Sequence, residues 1–132
     1  MQFFIAYISG LIAFLLIDII WLKYIALSFY RAQIGHLMVD KPNLGIALVF
    51  YLVYIVGVVV LAVNPALEKG QWTTAILYGG LLGFVAYGTY DITNLATLKS
   101  WPNIVAIVDM VWGTVLTASV ATIAYFVTSI LK

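Results

Sequence analysis

The chain has 132 residues, of which 65% are hydrophobic and only 8% charged, and its mean hydropathy is +1.14. Six basic and five acidic side chains cannot make the polar surface that a water-soluble domain of this length needs, so a bilayer is the solvent that fits. A net charge of +1 without a polybasic run gives no hold on nucleic acid or anionic lipid headgroups. A chain without cysteine has no disulfide, thiolate metal site or thiol nucleophile, and the single His36 excludes a multi-histidine metal centre.

Apolar runs of membrane-spanning length predict an all-α integral membrane protein. It is expected to be one transmembrane domain over residues 1–132, a four-helix bundle of four spans joined by short loops. Four spans at roughly 20 residues each use about 80 residues, which leaves no room for a soluble domain. The first is expected over about residues 3–22, apolar until Asp18, with the helix able to run on toward Tyr30. Its start lacks the basic residues of a signal peptide and reads as a retained span. A polar loop over 31–43 follows, and Pro42 suits a break before the next helix. The second span is expected over 44–63 and carries no charge, with Asn64-Pro65 ending it and Glu68-Lys69-Gly70 forming a turn. The third is expected over 72–90. The segment 91–99 is too polar for lipid, and Ser100-Trp101-Pro102-Asn103 reads as a turn with an interfacial tryptophan. The fourth covers 104–131, longer than a bilayer needs, so it tilts or protrudes near Asp109. Continuous apolar runs argue against a β-barrel, and helices satisfy every backbone group internally as lipid demands. Gly79 and Gly83 in the third span, and Gly113, Thr117 and Ala121 in the fourth, form stripes of small residues suited to close helix packing.

Four alternating spans put the end of the first, the start of the second, the end of the third and the start of the fourth on one side. That side collects Asp18, Trp21, Tyr51, Tyr54, Tyr87, Tyr90, Asp91, Asn94, Asp109 and Trp112, with loop residues Tyr30, Arg31 and His36. Four of the five acidic residues are there, and Asp18, Asp91 and Asp109 lie in or against apolar sequence. Carboxylates within membrane helices are costly and face a bundle interior, a partner or a water-filled cavity. Asp18 and Trp21 are three apart, as are Asp109 and Trp112, so each pair shares a helix face. Tyr87, Asp91 and Asn94 fall on one face if the helix continues. Three helices thus each present a carboxylate with aromatic neighbours. This pattern predicts a ligand-binding pocket lined by those residues and His36. The bland alternatives are an interfacial acid, a helix cap, an aromatic belt, or an ion-pair layer with Lys23, Arg31 and Lys99.

Three functions remain open on this reading. The first is binding or transport of a small amphiphilic or cationic ligand, through charge and cation–π attraction, with a homodimer completing a pathway. The second is a membrane-embedded enzyme acting on a lipid or isoprenoid, with the three aspartates holding a divalent ion or sharing a proton. Thr89 and Thr93 are then the available hydroxyls. The third is a structural or accessory subunit. No cofactor is implied. The expected location is the bacterial inner membrane, multi-pass, with the more basic polar side in the cytoplasm.

The run Tyr87-Gly88-Thr89-Tyr90-Asp91-Ile92-Thr93-Asn94-Leu95-Ala96-Thr97-Leu98, followed by Trp101-Pro102, resembles the signature of the domain of unknown function 2177 family. Asp18-x-x-Trp21-Leu22, Phe29-Tyr30-Arg31, Gly35-His36-Leu37, Phe50-Tyr51 with Tyr54, Pro65-Ala66 and Asp109-x-x-Trp112-Gly113 match it as well. The resemblance covers essentially the whole chain. It implies a small bacterial membrane protein of four spans in one compact domain, and it implies no substrate, cofactor or reaction.

Overall fold

The computed structural model describes residues 1–132, and every regular element in it is helical. Helix α1 spans Gln2–Ile20 and continues as a π-helical turn, Trp21–Ile25. A short α2, Leu27–Ile34, and a 3-10 turn, Gly35–Leu37, follow. Helix α3, Leu44–Val58, passes through a second π turn, Val59–Val63, into α4, Asn64–Lys69. Two long helices complete the chain, α5 over Trp72–Thr97 and α6 over Asn103–Leu131.

Three helical stretches are long and apolar enough to cross a membrane: Gln2–Ile25, Leu44–Lys69 and Asn103–Leu131. Helix α5 has a comparable 26 residues but is diluted by glycine, threonine, tyrosine and Asp91. The first span shows how sequence becomes packing. Ala6, Gly10, Ala13, Phe14 and Asp18 recur at helical spacing and are buried, while Phe4, Ile12, Leu16 and Ile19 form the outer face. An apolar outer face is what lipid requires of a spanning helix.

Several predicted boundaries differ from the observed ones. The residues from Asn64 onward do not end the second span. Proline has no N–H for the i−4 carbonyl, but a π turn immediately before it widens the ladder, with the Asn64 N–H bonded to the Val59 carbonyl. Pro65 thus stands in the first turn of α4, where no N–H is needed, and helical structure runs to Lys69. It stops at Gly70, whose φ of 66° is left-handed. There Gly70 N–H reaches the Leu67 carbonyl (3.3 Å) and Gln71 N–H the Ala66 carbonyl (3.1 Å), the two bonds of a Schellman motif. The third helix likewise continues past Tyr90 to Thr97, because Asp91 turns inward and Leu95 packs beneath Trp101. The loop after the first span is partly helical, in α2 and the turn behind it. Asn43 caps α3, its side-chain oxygen accepting from Ile46 N–H at 3.1 Å.

The core fills the half of the molecule away from the polar end. It is built from small and branched residues such as Ala6, Ile55, Val59, Ala62, Leu116, Val120 and Ala124. The two small-residue stripes meet there. A Cβ on Gly79 would lie 2.9 Å from both the Ala121 Cβ and the Thr117 carbonyl oxygen. A Cβ on Gly83 would collide with the Gly113 carbonyl, and one on Gly113 with the Tyr87 ring. Helices α5 and α6 therefore approach more closely than any larger side chain would permit.

Candidate functional site

Three helices bring their carboxylates to one end. Asp18 lies in the last turn of α1, Asp91 near the end of α5, and Asp109 in the second turn of α6. They are 8%, 0% and 9% exposed, so none is an interfacial acid reaching into water.

Neutral donors hold two of them. The π turn after Ile20 carries Trp21 across to lie flat on Trp112, with ring centroids 4.2 Å apart and planes 8° from parallel. The Trp112 indole N–H donates to Asp18 at 3.3 Å. The Trp21 indole N–H donates to the Tyr30 hydroxyl at 3.3 Å, and that hydroxyl donates to Asp109. Tyr30 stands in α2, outside the spans. Burial, and then its bond to Asp109, push its hydroxyl well above the usual tyrosine range, so it keeps its proton and remains a donor.

Asp91 is different. Both of its oxygens are buried without a hydrogen-bond partner, and the Trp101 indole N–H beside it is unpartnered too. Its polar neighbours are the Asp109 carboxyl and Trp101. Lys23, Arg31 and Lys99 are all exposed, and Lys23 lies over the Tyr24 ring instead. An ion-pair layer is not what holds these acids.

A cavity of about 330 Å³ opens in front of them. Asp18 and Asp109 lie in its wall with Trp21, Tyr51, Tyr87, Tyr90 and Trp112. An adjoining cavity of about 370 Å³ is lined by Phe14, Phe50, Tyr51, Tyr54, Ala86, Tyr87 and Tyr90, so three tyrosines divide the two. Phe14 forms the floor, its ring 5.0 Å from that of Tyr51 and 5.9 Å from that of Tyr54. Tyr54 is fixed by a 2.8 Å hydrogen bond to Thr117.

Most of the residues selected from sequence are thus brought together. Two are not. His36 is exposed on the 3-10 turn and lines neither cavity, because the chain turns outward after Ile34. Asn94 is half-buried one turn beyond Asp91 and also lies outside both. Six residues outside that set line the first cavity, and two of them, Tyr30 and Trp101, carry polar groups. Their signal in the sequence is an aromatic with a polar tip inside an apolar segment, which needs a partner when buried.

The family described as "Predicted membrane protein (DUF2177)" matches residues 3–126. The chain belongs to the DUF2177 family. Neither a curated protein nor a solved structure matches this DUF2177 member. The matched region contains every residue of both cavities.

The chemistry open to the DUF2177 cavity follows from its walls. Two carboxyls held by neutral donors, with no side-chain cation beside them, attract a cation once ionised. Stacked indoles and tyrosine rings add attraction for a cation. The three aspartates do not gather into a group able to hold a metal ion. Thr89 donates back to the Val85 carbonyl at 2.7 Å, as a helix-bonded threonine does, and is not poised as a nucleophile.

Proposed function

We propose that this DUF2177 protein binds a small amphiphilic or cationic ligand in the acidic, aromatic-walled cavity near one membrane face, and that it carries such a ligand if it transports. The observation that carries this reading is the pair Asp18 and Asp109, two carboxyls in the wall of one aromatic-lined cavity, each held by a neutral donor. Neither acid is paired with a lysine or arginine, as a purely structural ion pair would be, since Lys23, Arg31 and Lys99 are exposed.

The reading includes α5 as a fourth span of a multi-pass inner-membrane bundle. Support comes from the distribution of its residues. Gly79, Gly83, Gly88 and Asp91 are buried, while Leu77, Leu81, Phe84, Val85 and Ile92 face outward. The low hydropathy of α5 belongs to its inner face, and the outer face suits lipid. The excess of lysine and arginine at the acidic end supports placing that end in the cytoplasm.

The test is thermal unfolding of the purified protein against a panel of hydrophobic cations, neutral amphiphiles and divalent ions. Wild type is compared with Asp18→Asn and Asp109→Asn. A compound present at about 100 times its dissociation constant stabilises the folded state by roughly 2.7 kcal/mol. A shift in wild type that the variants lose supports the reading. No shift with any compound refutes it.

A further inference from the structure

The second cavity gives the first a side door. Helix α5 leans onto α6 through its glycines and packs against the Val59–Val63 turn, but it scarcely touches α3 itself. The two helices therefore form a V that opens toward the acidic end. All seven residues lining that opening are apolar or aromatic. Its rim faces outward, with Phe50 60% and Tyr90 54% exposed. Phe50 is six residues into α3, roughly 9 Å below the helix start, so the opening lies at the depth of lipid chains rather than of the loops.

We infer that the cleft between α3 and α5 admits a single-chain amphiphile sideways from the bilayer, and holds its hydrocarbon tail while its basic head sits against Asp18 and Asp109. The inference rests on the ligand-binding reading above and adds the ligand's class and route. Charge selects the head, since the acids have no side-chain cation. The lining of alanine, phenylalanine and tyrosine rings selects the tail. Tyr51, Tyr87 and Tyr90 border both cavities, so a molecule reaching from one into the other passes between these three side chains. Each cavity is of the size that small-molecule sites have, about 300–1,000 Å³.

The chain has no cysteine, so a single introduced thiol reports one position. Ala86→Cys inside the cleft, Phe50→Cys on its rim, and Val115→Cys on the outer face of α6 are placed in lipid nanodiscs. Maleimide modification is timed with and without dodecylamine, and wild-type unfolding is followed with the same compound. Dodecylamine is expected to raise the wild-type melting temperature and to slow labelling at Ala86→Cys and Phe50→Cys. The slowing is roughly tenfold at ten times the dissociation constant. Val115→Cys is unchanged. A raised melting temperature with labelling unchanged at both cleft positions overturns the cleft and leaves the acidic site standing. No effect of dodecylamine on wild-type melting overturns both. Equal protection at all three positions means general partitioning into the bilayer and also overturns the cleft. Phe50→Cys sits on an exposed rim and keeps the test alive if Ala86→Cys misfolds.

Discussion

Replacing Asp91 by asparagine should make the protein more stable. Asp91 is fully buried, its two oxygens lack donors, and its polar neighbours are the Asp109 carboxyl and the Trp101 indole. A buried polar group left unsatisfied costs about 1–3 kcal/mol, more if it is charged. Asparagine has nearly the same shape and brings two N–H donors, which Asp109 can accept. The expected gain is therefore about 1–3 kcal/mol. Unfolding by SDS titration in mixed micelles measures it, on wild type, Asp91→Asn, Asp109→Asn and the double variant. Because the two carboxyls are neighbours, the gain from Asp91→Asn should shrink in the Asp109→Asn background, with a coupling of at least about 0.5 kcal/mol. A loss of stability greater than about 1 kcal/mol for Asp91→Asn would refute the argument, since it would mean that the carboxyl is paired and structural. An additive cycle would separate the two acids.

Tyr30→Phe removes the donor that holds Asp109 and should cost about 1.5–3 kcal/mol, the range for a hydrogen bond to a charged group, measured by the same titration. The Tyr30 hydroxyl titrates above its ordinary value near 10, so the folded state holds that proton more tightly than the unfolded one. Its contribution is full below about pH 10 and falls as pH rises beyond it. Wild type should thus lose more stability than Tyr30→Phe on the alkaline side, and parallel curves would contradict this. Gly113→Ala drives a methyl group into the Tyr87 ring, so a cost of about 1–3 kcal/mol is expected, with weaker ligand-induced stabilisation because Tyr87 borders both cavities.

The sequence was informative where physics is local and binary. Composition requires a membrane, and long apolar runs mark the three apolar spans. An acid inside an apolar run must be buried or partnered, and this identifies Asp18, Asp91 and Asp109. Boundaries were less legible. A Pro65 that normally ends a helix is absorbed by a widened turn that depends on hydrogen-bond register rather than residue type. His36 and Asn94 illustrate the other gap. Assigning residues to one side of a membrane fixes depth but not azimuth, and both point away from the cavities. Tyr30 was hidden for the converse reason. Its role depends on how a short helix folds back after Ala26, where the ladder breaks. The pairing of donors, Trp112 to Asp18 and Tyr30 to Asp109, is tertiary and has no sequence period at all.

The two widened turns also determine which wall of the site can yield. Helices α5 and α6 are locked by glycines that leave no slack, so Asp91 and Asp109 keep a fixed separation. Above the Val59–Val63 turn, α3 is held mainly by α1, and Tyr7 reaches across to the Leu52 carbonyl at 2.9 Å. Below that turn the chain is wedged into the core. A π turn is already a point of irregular hydrogen bonding, so bending there disturbs the ladder less than bending elsewhere. Any change in the width of the entrance is therefore expected at α3, while the spacing of the acids on α5 and α6 stays as it is.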